Sequence, residues 1–192
     1  DCAARLADLG CGSGASTRAL IESFGADCIA SLTGIDTSAG MLARAHRKRW
    51  PATVRFVHGP AESVADVVAE PLDGVFAAYL YRNVADRDGA LRAAHAALRP
   101  GGVLVTQEYS VAGRPFSILV WTIVCWLVVI PLALLMSGRT RLYRYLWRSV
   151  IGFDSTSEFR ARLRRAGFVD VEVRSVGGWQ RGILHTFCAR RT

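Results

Sequence analysis

The sequence predicts an α/β protein built on a doubly wound, mostly parallel seven-stranded sheet, closed by an antiparallel C-terminal strand and carrying an apolar helical insertion between strands five and six. Three observations predict it. A glycine-rich turn, Asp8-Leu9-Gly10-Cys11-Gly12-Ser13-Gly14, follows a short apolar segment and precedes a helical one. Strand-like and helix-like segments then alternate along the chain, as parallel strands with crossover helices require. One uncharged apolar run, Phe116 to Met136, interrupts the alternation.

Arg5 to Leu9 reads as a buried first strand, and Ala15 to Phe24 as a helix whose N-terminal N–H groups face the same ligand as the loop. Gly10, Gly12 and Gly14 let the backbone turn tightly and approach that ligand where a Cβ would clash. Such a loop points to a nucleotide-type ligand. Gly10, Gly12 and Ala15 also satisfy the GxGxxG/A pattern of dinucleotide-binding loops, so the loop alone leaves two ligand classes open. A second apolar strand ends at Asp36, where an acid accepts both ribose hydroxyls, and a helix begins near Ser38.

Thr53 to Val57 is the third strand, with His58 as a loop histidine at its end. Val75 to Leu80 follows the Asp73-Gly74 turn as the fourth. A helix from about Arg87 to Leu98 leads through Pro100-Gly101-Gly102 into the fifth, Val103 to Tyr109. Ser155 and Glu158 form a capping-box start for a helix over Glu158 to Ala166, which Gly167 ends. Phe168 to Val173 and Ile183 to Ala189 close the sheet as a pair around Gly177-Gly178.

With 192 residues and 51% hydrophobic content, residues 1–192 form one domain with a real core, and residues 113–152 form a lid insertion within it. The net charge is +8, and its excess lies around Arg139 to Arg148 and Arg160 to Arg165. No nucleic-acid-binding motif accompanies it, so the charge reads as attraction to an anionic membrane surface. Five scattered cysteines without CxxC spacing imply a reducing compartment and no metal site.

As a helix, the Phe116 to Met136 run is about 30 Å long, enough to cross a hydrocarbon core. Topology argues against a crossing, because one span would put strands of a single sheet on opposite sides of the membrane. The expectation is a lid helix, broken near Pro131, that lines a lipophilic pocket and dips into the bilayer interface. Arg139, Arg141, Arg144 and Arg148 then meet headgroups, with Trp121, Trp126 and Trp147 as interfacial anchors.

The Leu6 to Gly14 string, LADLGCGSG, resembles the first motif of class I S-adenosylmethionine-dependent methyltransferases, and Gly34 to Leu42, GIDTSAGML, resembles their second. Tyr81-Arg82-Asn83-Val84-Ala85-Asp86, Ala90-Leu91-Arg92 and Leu98-Arg99-Pro100-Gly101-Gly102 narrow the likeness. So do Pro131, Ser137-Gly138, Tyr143 to Leu146, Ser149-Val150-Ile151 and Ala166-Gly167-Phe168. Over nearly the whole chain the sequence resembles the ubiquinone and menaquinone biosynthesis C-methyltransferases.

The resemblance implies a Rossmann-like fold and S-adenosyl-L-methionine as cofactor. It places Asp8, Gly10, Gly12, Ser13 and Gly14 around the methionine moiety, Asp36 and Thr37 at the ribose, Pro60 and Ala61 at the adenine, and Ala78 beneath the sulfonium. Pro60 stands where the family carries Asp or Asn, and Ala78 where relatives often carry Ser. Arg82 is the candidate for stabilising a substrate phenolate through ordered water, and Asn83 for orienting it; the alternative is that both cap the next helix and pair with Asp86. Tyr79, Tyr81 and His185 are candidates for the substrate pocket, or else structural side chains.

The implied function is C-methylation of a quinone-like ring in the cytoplasm, at the inner face of the cell membrane. The alternatives are O- or N-methylation of another lipid or hydrophobic metabolite, and a non-catalytic membrane-associated cofactor-binding protein. Members of the resembled family usually have helices before the first strand, which implies either a longer chain or a reduced cover here.

Overall fold

In the computed structural model, which describes residues 3–137 and 140–192, strands β1 (Ala4–Leu9), β2 (Ile29–Asp36), β3 (Val54–His58), β4 (Leu72–Ala78), β5 (Leu98–Tyr109), β6 (Phe168–Ser175) and β7 (Leu184–Arg191) share one sheet. Their spatial order is β3-β2-β1-β4-β5-β7-β6. The first five run parallel, and β7 lies antiparallel between β5 and β6. The reason is connection length: the 176–183 loop is too short for the crossover that parallel strands need. Central β1 is buried along Leu6 to Leu9, as a strand covered on both faces must be.

Helices α1 (Ala15–Phe24), α2 (Ala39–His46), α3 (Val64–Val67), α4 (Arg87–Ala97), α5 (Pro115–Val124), α6 (Ile130–Ser137), α7 (Thr140–Ile151) and α8 (Thr156–Arg165) join or cover the strands. The main core packs Val75, Ala77, Leu104 and Phe187 of the sheet against Leu91 of α4 and Phe159 and Leu163 of α8. α8 begins with the expected capping box: the Ser155 hydroxyl accepts the Glu158 amide, and the Glu158 carboxylate accepts the Ser155 amide. Gly167 follows at φ +100°, in the left-handed region that glycine favours.

Several expected boundaries shift: His58 is the last residue of β3, β6 and β7 each run two residues further, and three shifts around β4 and β5 have physical reasons. β4 starts at Leu72, because Asp73 is a sheet residue whose carboxylate accepts the Arg5 amide at 2.7 Å. It ends at Ala78, because Tyr79 turns into the left-handed region at φ 58°. β5 starts at Leu98 and absorbs the Pro100-Gly101-Gly102 turn as a register shift against Leu72 and Gly74.

The apolar run is not broken at Pro131. α5 and α6 are continuous through a π turn over Cys125–Val129, in which the Ile130 amide donates to the Cys125 carbonyl. A proline ring clashes with the carbonyl four residues earlier, and a widened turn just before Pro131 relieves that clash without a break. α7 folds back along this helix: the Trp147 indole donates to the Thr122 hydroxyl at 3.2 Å, and the Arg144 guanidinium lies 5.8 Å from the Trp126 ring. Trp121 is 3% exposed and packs inward with Cys125, Val150 and Ile183, so it is not an interfacial anchor. Trp126 is exposed; Gly138 and Arg139 lie outside the described residues.

Candidate functional site

The carboxyl ends of the parallel strands carry the site. At the end of β1, Asp8 is fully buried, and its Oδ2 accepts the Thr17 hydroxyl at 2.6 Å and the Ser16 hydroxyl at 2.7 Å. These bonds clamp the first turn of α1 to the strand. Its Oδ1 is buried with no partner among the described residues. Burial pushes the Asp8 carboxyl up to about 6, against the two hydroxyls and with a small push from Asp36.

Gly10, Gly12 and Gly14 take left-handed φ values of 71°, 55° and 84°. The Gly12 amide donates to Asp36 Oδ2 at 2.8 Å, and the Ser38 amide to Asp36 Oδ1 at 2.7 Å. Asp36 is thereby held rigid, and each of its oxygens keeps a second lone pair for a hydroxyl. The Ser13 carbonyl accepts the Lys48 ammonium at 2.6 Å, and the Thr37 carbonyl bonds the His58 ring at 2.9 Å. The Gly59 amide donates to the Asp36 carbonyl at 3.1 Å, which holds the Pro60-Ala61 turn beside Asp36. An orphaned buried carboxylate oxygen, a left-handed glycine loop and a fixed acid in one row fit an aminoacyl nucleoside such as S-adenosyl-L-methionine.

The second half of the site follows Ala78. The Tyr79 ring stacks on Tyr109, centroids 5.0 Å apart, and Tyr109 meets Trp121 of α5 at 5.1 Å. The Arg82 guanidinium lies 5.4 Å from the Tyr79 ring and 6.0 Å from Tyr109. Its Nη1 stands 3.2 Å from Glu108 Oε2, while Glu108 Oε1 accepts the Tyr81 amide at 2.6 Å. Burial raises the Glu108 carboxyl to about 7, outweighing the lowering by Arg82 and the backbone amides. Asn83 donates to the Tyr79 carbonyl at 2.9 Å and accepts the Tyr145 hydroxyl of α7 at 3.0 Å. The two halves touch: a Cβ on Gly10 would lie 2.9 Å from Leu80 Cδ1.

Tyr79, Arg82 and Asn83 are thus brought together, and two other candidates are not. Tyr81 is a core residue, fully buried with its ring 5.4 Å from Phe159. His185 lines a separate cavity of about 550 Å3 between α8 and the start of α5. The pairing of Arg82 and Asn83 with Asp86 does not form; Asp86 caps α4 by accepting the Gly89 amide at 2.8 Å. Sequence reasoning missed Glu108, Tyr109 and Tyr145. The available signal was Glu108, a lone acid in an otherwise uncharged strand from Val103 to Tyr109.

Residues 2–189 match the ubiE/COQ5 methyltransferase family. A ubiquinone/menaquinone biosynthesis C-methyltransferase of Bradyrhizobium diazoefficiens is 31% identical over 150 residues, 76% of this chain and 59% of the relative. The chain therefore spans about three fifths of that relative's length. A relative of the same description from Campylobacter jejuni is 29% identical over 97% of this chain and 78% of its own. A demethylmenaquinone methyltransferase of Staphylococcus aureus is 30% identical over 89% of this chain and 70% of its own. Among solved structures, an S-adenosylmethionine-dependent methyltransferase from Mesorhizobium loti superposes with a TM-score of 0.68 at 21% identity, over 98% of this chain and 91% of that one. That likeness shows the Rossmann-like fold. The chain belongs to the ubiE/COQ5 methyltransferase family.

Proposed function

We propose that the protein is an S-adenosyl-L-methionine-dependent methyltransferase that methylates a ring carbon of a lipophilic, quinone-like substrate. The observation that carries this reading is the abutment, through Gly10 and Leu80, of the glycine-loop site and the Tyr79–Tyr109 shelf with its adjacent guanidinium. When bound, S-adenosyl-L-methionine supplies a methyl group on an electrophilic sulfonium. Asp8 Oδ1 accepts from its ammonium, Asp36 accepts from its ribose hydroxyls, and Ala78 lines the strand end beneath the reacting centre. Pro60 has no N–H, so adenine rests on the Ala61 backbone and on apolar packing.

The Tyr79–Tyr109 stack walls the ring site, and Arg82 stabilises the oxyanion that makes a ring carbon nucleophilic. Glu108 is a positioning residue: it fixes the guanidinium from behind, and Asn83 fixes the Tyr79 backbone. Trp121 carries the shelf into the hairpin of α5–α7, which makes the pocket wall apolar.

The protein sits peripherally on the cytoplasmic face of the membrane in this reading. Pro115–Met136 is a 22-residue apolar helix with 17% of its most apolar stretch buried, and Leu135 is 85% exposed. Arg141, Arg144 and Arg148 are exposed on the companion helix. β5 before the hairpin and β6 after it belong to one sheet, so the hairpin dips into the interface and returns.

Calorimetric titration with S-adenosylhomocysteine, with Asp36→Ala as control, tests the cofactor site. Binding that the control abolishes supports the reading; NAD binding in its place overturns it. Transfer of a labelled methyl group to carbon of a demethylated quinone precursor then tests the substrate, and a label on oxygen or nitrogen would redirect it.

A further inference from the structure

His185 is 2% exposed, and its Nε2 has no partner among the described residues. The cavity it lines, about 550 Å3, lies within the size range of small-molecule sites. Its other walls include Arg114 and Ser117 at the start of α5, Thr156, Ser157 and Arg160 at the start of α8, and Arg181 and Ser175 at the β6–β7 connection. No carboxylate lines it.

The nearby acids are engaged elsewhere. Glu158 turns back onto the Ser155 amide at 2.8 Å, and Asp154 pairs with Arg87 at 3.3 Å and with Arg162 at 2.5 Å. Arg114, Arg160 and Arg181 make no ion pair among the described residues. The first turn of α8 adds backbone donors. Ser155 caps only the Glu158 amide, and Thr156 and Ser157 of that first turn line the cavity.

We propose that this cavity is a phosphate-binding site, distinct from the cofactor site, for a phosphate or diphosphate group carried by a lipid headgroup or by a soluble metabolite. Three guanidiniums suit the paired oxygens of a phosphate, which accepts two parallel N–H bonds from each. Hydroxyls of Ser117 and Thr156 suit the remaining lone pairs, while those of Ser157 and Ser175 are engaged with Ser155 and with the Gly182 amide. Burial, opposed by backbone hydrogen bonds at Gly182 and Ser110 and aided by the Arg114 charge, holds the His185 imidazole below its ordinary pKa, and the ring lines the cavity wall where a bound anion changes its surroundings. Three guanidiniums that make no ion pair among the described residues line one cavity without a carboxylate, which favours an anion there. The site shares Ser117 and Arg114 with the root of the apolar hairpin, so a phosphorylated lipid can reach it from the interface.

The test uses inorganic pyrophosphate as probe and the His185 ring resonances of the full chain as readout. Pyrophosphate shifts those resonances saturably, and Arg114→Gln and Arg160→Gln each weaken the response about tenfold. Both side chains are exposed, so circular dichroism of the variants matches the parent. Displacement of pyrophosphate by phosphatidylglycerol vesicles assigns the ligand to a lipid headgroup; indifference to vesicles assigns it to a soluble phosphorylated metabolite. Absence of a saturable shift, an equal shift with chloride at matched ionic strength, or parental affinity in the double variant overturns the proposal.

Discussion

The buried Glu108 carboxylate stands 3.2 Å from the Arg82 guanidinium, and its own charge is the less stable partner. Burial raises its pKa from an ordinary 4.5 to about 7, although Arg82 and the Tyr81 amide both pull it down. The group behind the Arg82 guanidinium therefore changes charge within the neutral range.

A stability prediction follows from the sign of that shift. The folded protein holds a proton on Glu108 that the unfolded chain releases, so this contribution is complete below about 4.5 and is lost as pH rises through about 7. At about 1.4 kcal/mol per pKa unit, the loss is on the order of 3 kcal/mol. Glu108→Gln removes this slope and leaves the similar, lower-lying slope that Asp8 contributes toward its raised value of about 6. Urea unfolding of both proteins at pH 5 and pH 8 checks this; parallel pH dependences would show that Glu108 does not titrate in this window.

Gly14 offers a steric prediction. It lies at φ +84°, and a Cβ there would stand 2.6 Å from the Trp50 ring. Gly14→Ala combines left-handed strain of about 1–2 kcal/mol with overpacking of about 1–3 kcal/mol. The melting temperature should fall, and by less when the same substitution is made in a Trp50→Leu background. An equal cost in both backgrounds would mean that the indole moves aside freely.

The glycine loop, Asp36 and the capping box were legible because each is a local pattern in which neighbours in sequence are neighbours in space. The shelf was not legible. Tyr79 meets Tyr109, and Arg82 meets Glu108, only because β4 pairs in register with β5. For Tyr81 and His185 the sequence left a structural role open beside the pocket one; tertiary packing puts Tyr81 in the core and His185 in a separate cavity. Pro131 marked the irregular part of the apolar helix, but the backbone accommodates it one turn upstream.

Tyr145 links the hairpin to the site by donating to Asn83, which in turn donates to the Tyr79 carbonyl. Tyr145→Phe removes one exposed hydrogen bond, an effect of about 0.5–1.5 kcal/mol. Because the bond orients the shelf and not the glycine loop, methyl-transfer kcat/KM should fall severalfold with S-adenosylhomocysteine affinity unchanged. A variant that loses both equally would place Tyr145 in the general stability of the fold.

The hairpin makes separable apolar and electrostatic predictions for vesicle flotation. Arg141, Arg144 and Arg148 each contribute about 1 kcal/mol near an anionic surface, so their joint replacement by Gln should weaken binding by about two orders of magnitude at low salt. The gap should close at high salt, where the surface potential is screened. Leu127→Glu with Leu135→Glu acts on burial, since both side chains are exposed on the α5–α6 helix, and should abolish flotation at either ionic strength. Sodium carbonate extraction separates the topologies: an interfacial hairpin is released from the membrane, whereas a spanning helix stays with it. Release by carbonate, with flotation sensitive to both sets of substitutions, is the result that a hairpin anchored at both ends to one sheet requires.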